Sequence, residues 1–468
     1  MTTSTRGPDE PTRDTVGAPA LRRVMGPGLL LMFIVGDILG TGVYALTGKV
    51  AAEVGGAVWL AFLLAFGVAV LTAASYLELV TKYPRAGGAA AYANRAFPGR
   101  GPALLVALAV AASGLTSASS AAIAFAGNLA QALGLTLVHG GWALVGIALA
   151  FIIGVAAVNL RGVSESVRLN VVLTCIEISG LLIVIAIGTW AISRGEGDLS
   201  AVTRIETEPG RNPFHTITAA TALAFFAFVG FEDSVNMAEE TRDPVRVFPK
   251  IMFAGLAIAG LVYLAVAVVA VAVVSPSELA VGETPLLTVV TAGAPWFPVW
   301  IFALISVAAV ANSALINMLM ASRLLYGMAN EGVLPSVFGR VLPGRRTPWV
   351  AIVATTLLAV GLIVSVDLEA LGGTTSLLLL AVFAVTNCAV LVLRRSPVDH
   401  DHFRVPTIVP ILGLASCVFL VSPWSGRPAA DYRTAGILLA LGVVVWLVQA
   451  AWSRRVRRRW VEERALDR

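Results

Sequence analysis

Five carboxylates stand in stretches that otherwise carry almost no charge. They are Asp37 in VGDILGTGVYALTG (35–48), Glu78 in ASYLELVTKYP (74–84), Glu177 in VVLTCIEISGLL (171–182), and Glu232 and Asp233 in FFAFVGFEDSVNMAEET (225–241). A charge in an apolar stretch long enough to cross a bilayer is costly, so each acid is a candidate for holding a cation, moving a proton or gating a pathway. Two of the stretches are also interrupted, the first at Gly36, Gly40, Thr41 and Gly42, the second at Gly230. Lipid offers no partner to the N–H and C=O groups that a break frees, so a break is tolerated only where protein or a cavity surrounds it. There it supplies a binding site. The N–H groups that open one half-helix carry partial positive charge and can hold a carboxylate. The carbonyls that close the other half can hold an ammonium or a metal cation. A zwitterionic amino acid offers both groups, and small residues let its backbone come close.

The elements that must position these residues are membrane spans. Of the 468 residues, 57% are hydrophobic and 13% charged, and the mean hydropathy is +0.85; soluble domains carry about 25% charged residues. Twelve stretches are long and apolar enough to cross: 27–47, 57–80, 103–131, 141–159, 168–192, 215–238, 249–274, 297–328, 348–366, 370–393, 407–423 and 434–452. The eleventh is the weakest, being short and holding Pro410. With a cytosolic N-terminus, 27 of the 33 basic residues fall on the inner side, the asymmetry that the positive-inside rule requires. Losing one span would swap the side of everything after it. The expected organisation is a disordered cytosolic tail (1–24), a ten-helix core (25–395), two further spans (405–453) and a basic cytosolic tail (454–468). The first 24 residues lack the features of a signal peptide and are expected to remain in the mature protein.

The two interrupted spans are the first and the sixth. That spacing matches two five-span repeats, about 25–195 and 213–395, related by inversion. Five stretches carry a family resemblance across roughly 25–395: GDILGTGVYALTG, ASYLELVTKYPRAGGAAAYA (74–93), NLRGVSESVRLNVVLTCIE (159–177), FFAFVGFEDSVNMAEET and ASRLLYGMANEGVLP (321–335). The chain resembles the amino acid–polyamine–organocation (APC) permeases, and among them the bacterial permeases similar to cationic amino acid transporters. The resemblance implies an all-α membrane protein of LeuT-like fold with broken helices 1 and 6. It implies that Gly40, Thr41 and Gly42 receive the substrate carboxylate. Carbonyls around Asp37–Ile38 and Phe225–Phe228, beside Gly230, would receive the amine. Phe226 or Phe228 would close over the substrate.

Asp37 has two readings: contact with a cationic group or proton, or a cap on the freed N–H groups of the broken segment. Proton-driven permeases similar to this one often carry a lysine where this chain has Glu177, in the place of a sodium ion. The glutamate departs from that pattern and can itself exchange a proton. Glu78, Glu232 and Asp233 lie toward the cytosolic span ends. There they are either an inner gate paired with bases such as Lys82 or Arg161, or ordinary ion pairs. In the eighth span, spacings of about one to three turns put several of Ser306, Asn312, Ser313 and Asn317 on one helix face. They are either sodium ligands or interhelical hydrogen-bond partners. The third span's ASGLTSASSAA (112–122) lines a pathway or packs closely.

Other classes fit less well. The surplus of basic residues sits at membrane edges, SRRVRRRW (453–460) above all, which suits anionic headgroups rather than nucleic acid. Cys175, Cys388 and Cys417 lie in apolar spans with no CxxC, and His400 and His402 have no further metal ligand nearby. No phosphate-binding loop, HExxH or GxSxG occurs, so neither ATP drive nor a membrane enzyme is indicated. Paired broken helices fit alternating access better than a continuous pore. The expectation is an amino acid permease of the cell membrane, proton-coupled or exchanging, with no cofactor beyond a proton or sodium ion. A polyamine or other amine transporter, or a transporter-like sensor, is the alternative.

Overall fold

The computed structural model describes residues 25–84, 88–98, 100–135, 141–161, 164–205, 212–282, 284–330, 334–342, 347–366 and 368–466. The expected N-terminal tail lies outside them. Among the described residues every regular element is helical, apart from isolated bridges between Met25 and Thr241 and between Gly55 and Ile205. The α-helices are α1 Pro27–Ile38, α2 Thr41–Val54, α3 Val58–Lys82, α4 Gly88–Ala96, α5 Arg100–Ala132, α6 Trp142–Arg161, α7 Ser164–Ser193, α8 Pro213–Ala224, α9 Pro244–Val273, α10 Pro276–Leu279, α11 Pro285–Gly293, α12 Val299–Asn330, α13 Trp349–Ser365, α14 Leu368–Leu393, α15 Ile408–Val421 and α16 Ala429–Leu466. Proline opens α1, α8, α9 and α11, where its missing N–H is no loss.

Among the described residues ten segments are long and apolar enough to cross a membrane, with α1 and α2 forming one of them and α8 and the turns after it another. The ninth and eleventh expected spans are shorter apolar helices, α13 with 17 residues and α15 with 14. At 1.5 Å per residue α15 is about 21 Å long, less than the ~30 Å hydrocarbon core. Pro410 sits in its first turn, where proline is tolerated, and the Ser422-Pro423 pair ends it. At the other extreme α16 has 38 residues and continues as helix into the basic segment expected to be a tail. The short helices α4, α10 and α11 were not expected from the apolar pattern.

α5 lies along α12, α13 and α14, while α3 packs against α8, α9, α14 and α15. The core between them is built of alanine, valine, leucine and aromatic side chains, with Phe62, Tyr76, Phe225, Phe228, Tyr263 and Phe383 fully buried. Long side chains such as Leu261 and Leu357 point outward, as lipid-facing residues do.

Glu78 has a different partner from those expected. Its carboxylate takes both arms of Arg394, at 2.7 Å each, and the Val405 N–H at 3.0 Å. Lys82 instead donates to the Leu393 carbonyl at 2.6 Å, and Arg161 ends α6 as an exposed residue. Arg394 follows α14 directly, so the fork of a guanidinium, matched to a carboxylate, fastens α3 to the strand of chain that leads into α15. The Phe403 N–H adds a bond to Thr81 Oγ1 at 3.1 Å.

Candidate substrate site

The first break falls later than Gly36 and Asp37, both of which remain inside α1. Leu39 closes α1 with its N–H on the Val35 carbonyl at 2.9 Å, and Gly40 takes φ −52°, ψ −141° before α2 starts at Thr41. Gly36 is needed for packing instead: a Cβ there would run into Thr174 of α7. No side chain caps α2, so N–H groups of its first turn lack intrahelical partners.

The second break is longer. After Ala224 the chain makes one 3-10 turn, Phe225–Phe228, then an extended residue, Val229, then Gly230 at φ +127°. It resumes as a 3-10 segment, Asp233–Glu240, rather than an α-helix. The Gly230 N–H is held by Glu232 Oε2 at 2.9 Å, and the Asp233 N–H returns to the Gly230 carbonyl at 3.0 Å. Glu232 therefore bonds backbone at the break, not a base.

The two breaks meet. A Cβ on Gly42 would collide with the Ala227 backbone, and one on Gly230 would lie 2.8 Å from the Asp37 carbonyl carbon and oxygen. Between them is a small cavity, lined by Asp37, Ile38, Gly42, Ser117, Phe226, Val229, Gly230, Asp233, Ser313 and Asn317. None of the lining residues is basic, while Asp37 and Asp233 are acidic. Asp37 Oδ2 is buried without a hydrogen-bond partner.

The expected aromatic residues divide. Only Phe226 lines the cavity. Phe228 is buried against Phe66 and Tyr263, with ring centroids 5.7 and 5.2 Å away, and Phe225 packs on Phe383 at 5.8 Å. In a 3-10 turn residues i and i+3 eclipse, so Phe225 and Phe228 share the core-facing side and Phe226 is left for the cavity. The Ile38 carbonyl, expected to face the amine, already accepts the Tyr263 hydroxyl at 2.5 Å. Tyr263 was missed because a lone tyrosine in the apolar run of α9 carries no signal. Of the Thr41 side chain nothing is described; its backbone opens α2.

Ser313 and Asn317 of α12 and Ser117 of α5 reach the cavity wall, whereas Asn312 turns to α7, accepting from Asn170 Nδ2 at 3.2 Å. Glu177 lies on α7, in the layer behind the cavity. It is fully buried, neither carboxylate oxygen has a hydrogen bond of normal geometry, and Asn312 stands beside it. Its backbone carbonyl accepts the Tyr44 hydroxyl of α2 at 2.9 Å. Asp37 is near enough to feel the charges of Asp233, Glu232 and Glu177.

Comparison with known proteins bears on this geometry. A family profile described as amino acid permease matches residues 29–448. The chain is 25% identical to the branched-chain amino acid permease BcaP of Bacillus subtilis, over 87% of this chain and 89% of that one. It is 28% identical to the methylthioribose transporter of the same organism, over 92% and 94%. It is 29% identical to the vacuolar cationic amino acid transporter 2 of Arabidopsis thaliana, over 81% of this chain and 61% of that one. These relatives are named for three different cargoes.

Proposed function

The chain belongs to the amino acid permease family of the APC superfamily, and from that premise we propose that it moves amino acids across the cell membrane by alternating access. As a member of that family it is a multi-pass membrane transporter, not an enzyme. The reading takes the chain to cross twelve times, with two inverted five-helix repeats, two added spans and both termini cytosolic. Its chief support is the meeting of two broken helices at one cavity, an uncapped helix start on one side and the unpartnered Asp37 Oδ2 on the other.

In this reading the substrate carboxylate sits on the N–H groups at Gly40–Gly42, where the helix dipole favours an anion. Its ammonium lies against the carbonyl end of α1 and the Asp37 carboxylate. Phe226 closes over it. Glu177 takes up a proton on one side and releases it on the other, so that a proton gradient drives uptake. What supports this role is a buried carboxyl packed behind the break, with no hydrogen bond of normal geometry and the Asn312 amide beside it. A second reading, an amine without a carboxylate such as a polyamine, draws on Asp37 and Asp233 facing a cavity with no basic residue.

The test begins with melting of the purified protein against single amino acids, diamines and polyamines, at two pH values and with or without sodium. A ligand that binds only the folded state raises the Tm, by about 2.7 kcal/mol of stabilisation at a hundredfold excess over Kd. The expected result is a shift with an α-amino acid that Phe226→Ala abolishes, and accumulation of that amino acid in proteoliposomes under a pH gradient. A shift confined to polyamines supports the second reading. Folded protein that neither binds nor carries any α-amino acid or amine refutes both.

A further inference from the structure

Arg427 lies in the connection between α15 and α16, outside the ten-helix core, with its side chain 1% exposed. The connection is seated on α8. Thr218 Oγ1 donates to the Ser425 carbonyl at 2.9 Å, and Gly426, at φ +80°, lies so close that a Cβ would be 2.9 Å from the His215 carbonyl oxygen. From there the guanidinium reaches four elements. Nη1 donates to the Gly373 carbonyl of α14 at 2.7 Å and to Asp431 Oδ2 of α16 at 3.0 Å. Nη2 donates to Ser376 Oγ of α14 at 3.0 Å and to the Ala222 carbonyl of α8 at 3.4 Å. Nε donates to the Leu420 carbonyl of α15 at 3.4 Å. Ser376 Oγ itself donates to the same Ala222 carbonyl.

Ala222 is in the last turn of α8, where a helix cannot satisfy all its carbonyls and where their partial negative charge favours a cation. Phe226, which lines the cavity, is four residues further on, and the break at Val229–Gly230 follows. A buried ion pair is weak evidence for stability, because a well-packed apolar pair often serves as well. An apolar pair has no directional hold on one carbonyl. The planar fork of arginine has, and Asp431 fixes its orientation.

We infer that Arg427, held by Asp431, is a positioning residue for the cavity: it pins the last turn of α8 and thereby sets where Phe225–Gly230 enters the site. The two helices that follow the ten-helix core thus act on the substrate site through α8. The structural half of this inference stands on the fold; its consequence for flux rests on the transport reading above.

The experiment uses the full chain in lipid nanodiscs and compares wild type with R427M/D431N, which removes both charges while nearly keeping shape, and with R427K, which keeps the charge and loses the fork. Hydrogen–deuterium exchange is followed in peptides covering 219–232, with peptides from α9 as reference, since exchange reports local opening. The expected result is exchange at least tenfold faster across 219–232 in the double variant, an intermediate value in R427K, and no change in α9. For a substrate carried by the wild type, KM rises fivefold or more while the maximal rate changes less than twofold. Wild-type exchange across 219–232 in the double variant overturns the inference, and so does an equal acceleration in α9, which marks general loosening. Should the double variant not fold, R427K carries the same comparison. The exchange arm needs no substrate, so a failure of the transport reading is told apart from a failure of the clamp.

Discussion

Alanine at Gly230 is expected to abolish the site while the rest of the protein stays folded. At φ +127° the backbone is where side chains rarely go, a strain of about 1–3 kcal/mol. The added Cβ would lie 2.8 Å from the Asp37 carbonyl carbon and oxygen and 3.0 Å from its Cγ. The first two are backbone atoms at the end of α1 and cannot swing aside, so overpacking adds about 1–3 kcal/mol. The total is roughly 2–6 kcal/mol, and at 1.4 kcal/mol per decade the lower bound alone removes about 25-fold of the site-competent state. Gly67 in α3 is the control, because nothing lies within 4 Å of a Cβ there and alanine is the better helix former. In proteoliposomes with matched protein content, Gly230→Ala should lower uptake at least 25-fold and Gly67→Ala should leave it within twofold. Gly230→Ala with more than half of wild-type uptake would refute the reasoning, since the two breaks could then not be in the close apposition described.

Other substitutions separate the roles of neighbouring residues. Glu177→Gln should abolish uptake driven by a pH gradient while leaving exchange of substrate across the membrane intact; proton-driven uptake at the wild-type rate removes Glu177 from the coupling. Phe228→Ala should cost about 3–5 kcal/mol of stability through loss of its packing on Phe66 and Tyr263, read as a lower melting temperature, whereas Phe226→Ala should raise KM with a far smaller change in melting. Glu78→Gln leaves the Arg394 guanidinium, only 11% exposed, without its carboxylate, and should lower stability by about 3–5 kcal/mol; Arg394→Lys, which cannot form the two-armed bond, should not restore it in that background. Tyr263→Phe keeps the ring cluster and removes one bond to the Ile38 carbonyl, an expected loss of about 0.5–1.5 kcal/mol, measured as a small fall in melting temperature.

Much of this protein is legible without coordinates because the relevant forces act locally. An apolar run long enough to cross lipid is visible in the sequence, and so are Gly40–Gly42 and Gly230 where a plain span would have none. The spacing of the two breaks pointed to one shared site, and Asp37, Ile38, Gly42, Phe226 and Gly230 line the cavity where the breaks meet; Asp233, read from the sequence as an acid of the cytosolic span end, lines it too. Which way each side chain faces was not legible. The turn of the helix decides that, and a 3-10 turn in place of an α-turn sent Phe225 and Phe228 into the core. Partners distant in the chain were equally hidden. Glu78 meets Arg394 across 316 positions, and its nearer candidate Lys82 is drawn off to a carbonyl. Glu177 stands behind the cavity, since α7 packs on α1 through Gly36 and Thr174. The sequence by itself determines which runs are long and apolar enough to cross a membrane and that two of them are interrupted, through hydropathy and backbone freedom. Only the tertiary structure decides which freed group faces the cavity and which is already taken, because that depends on helices brought together from far along the chain.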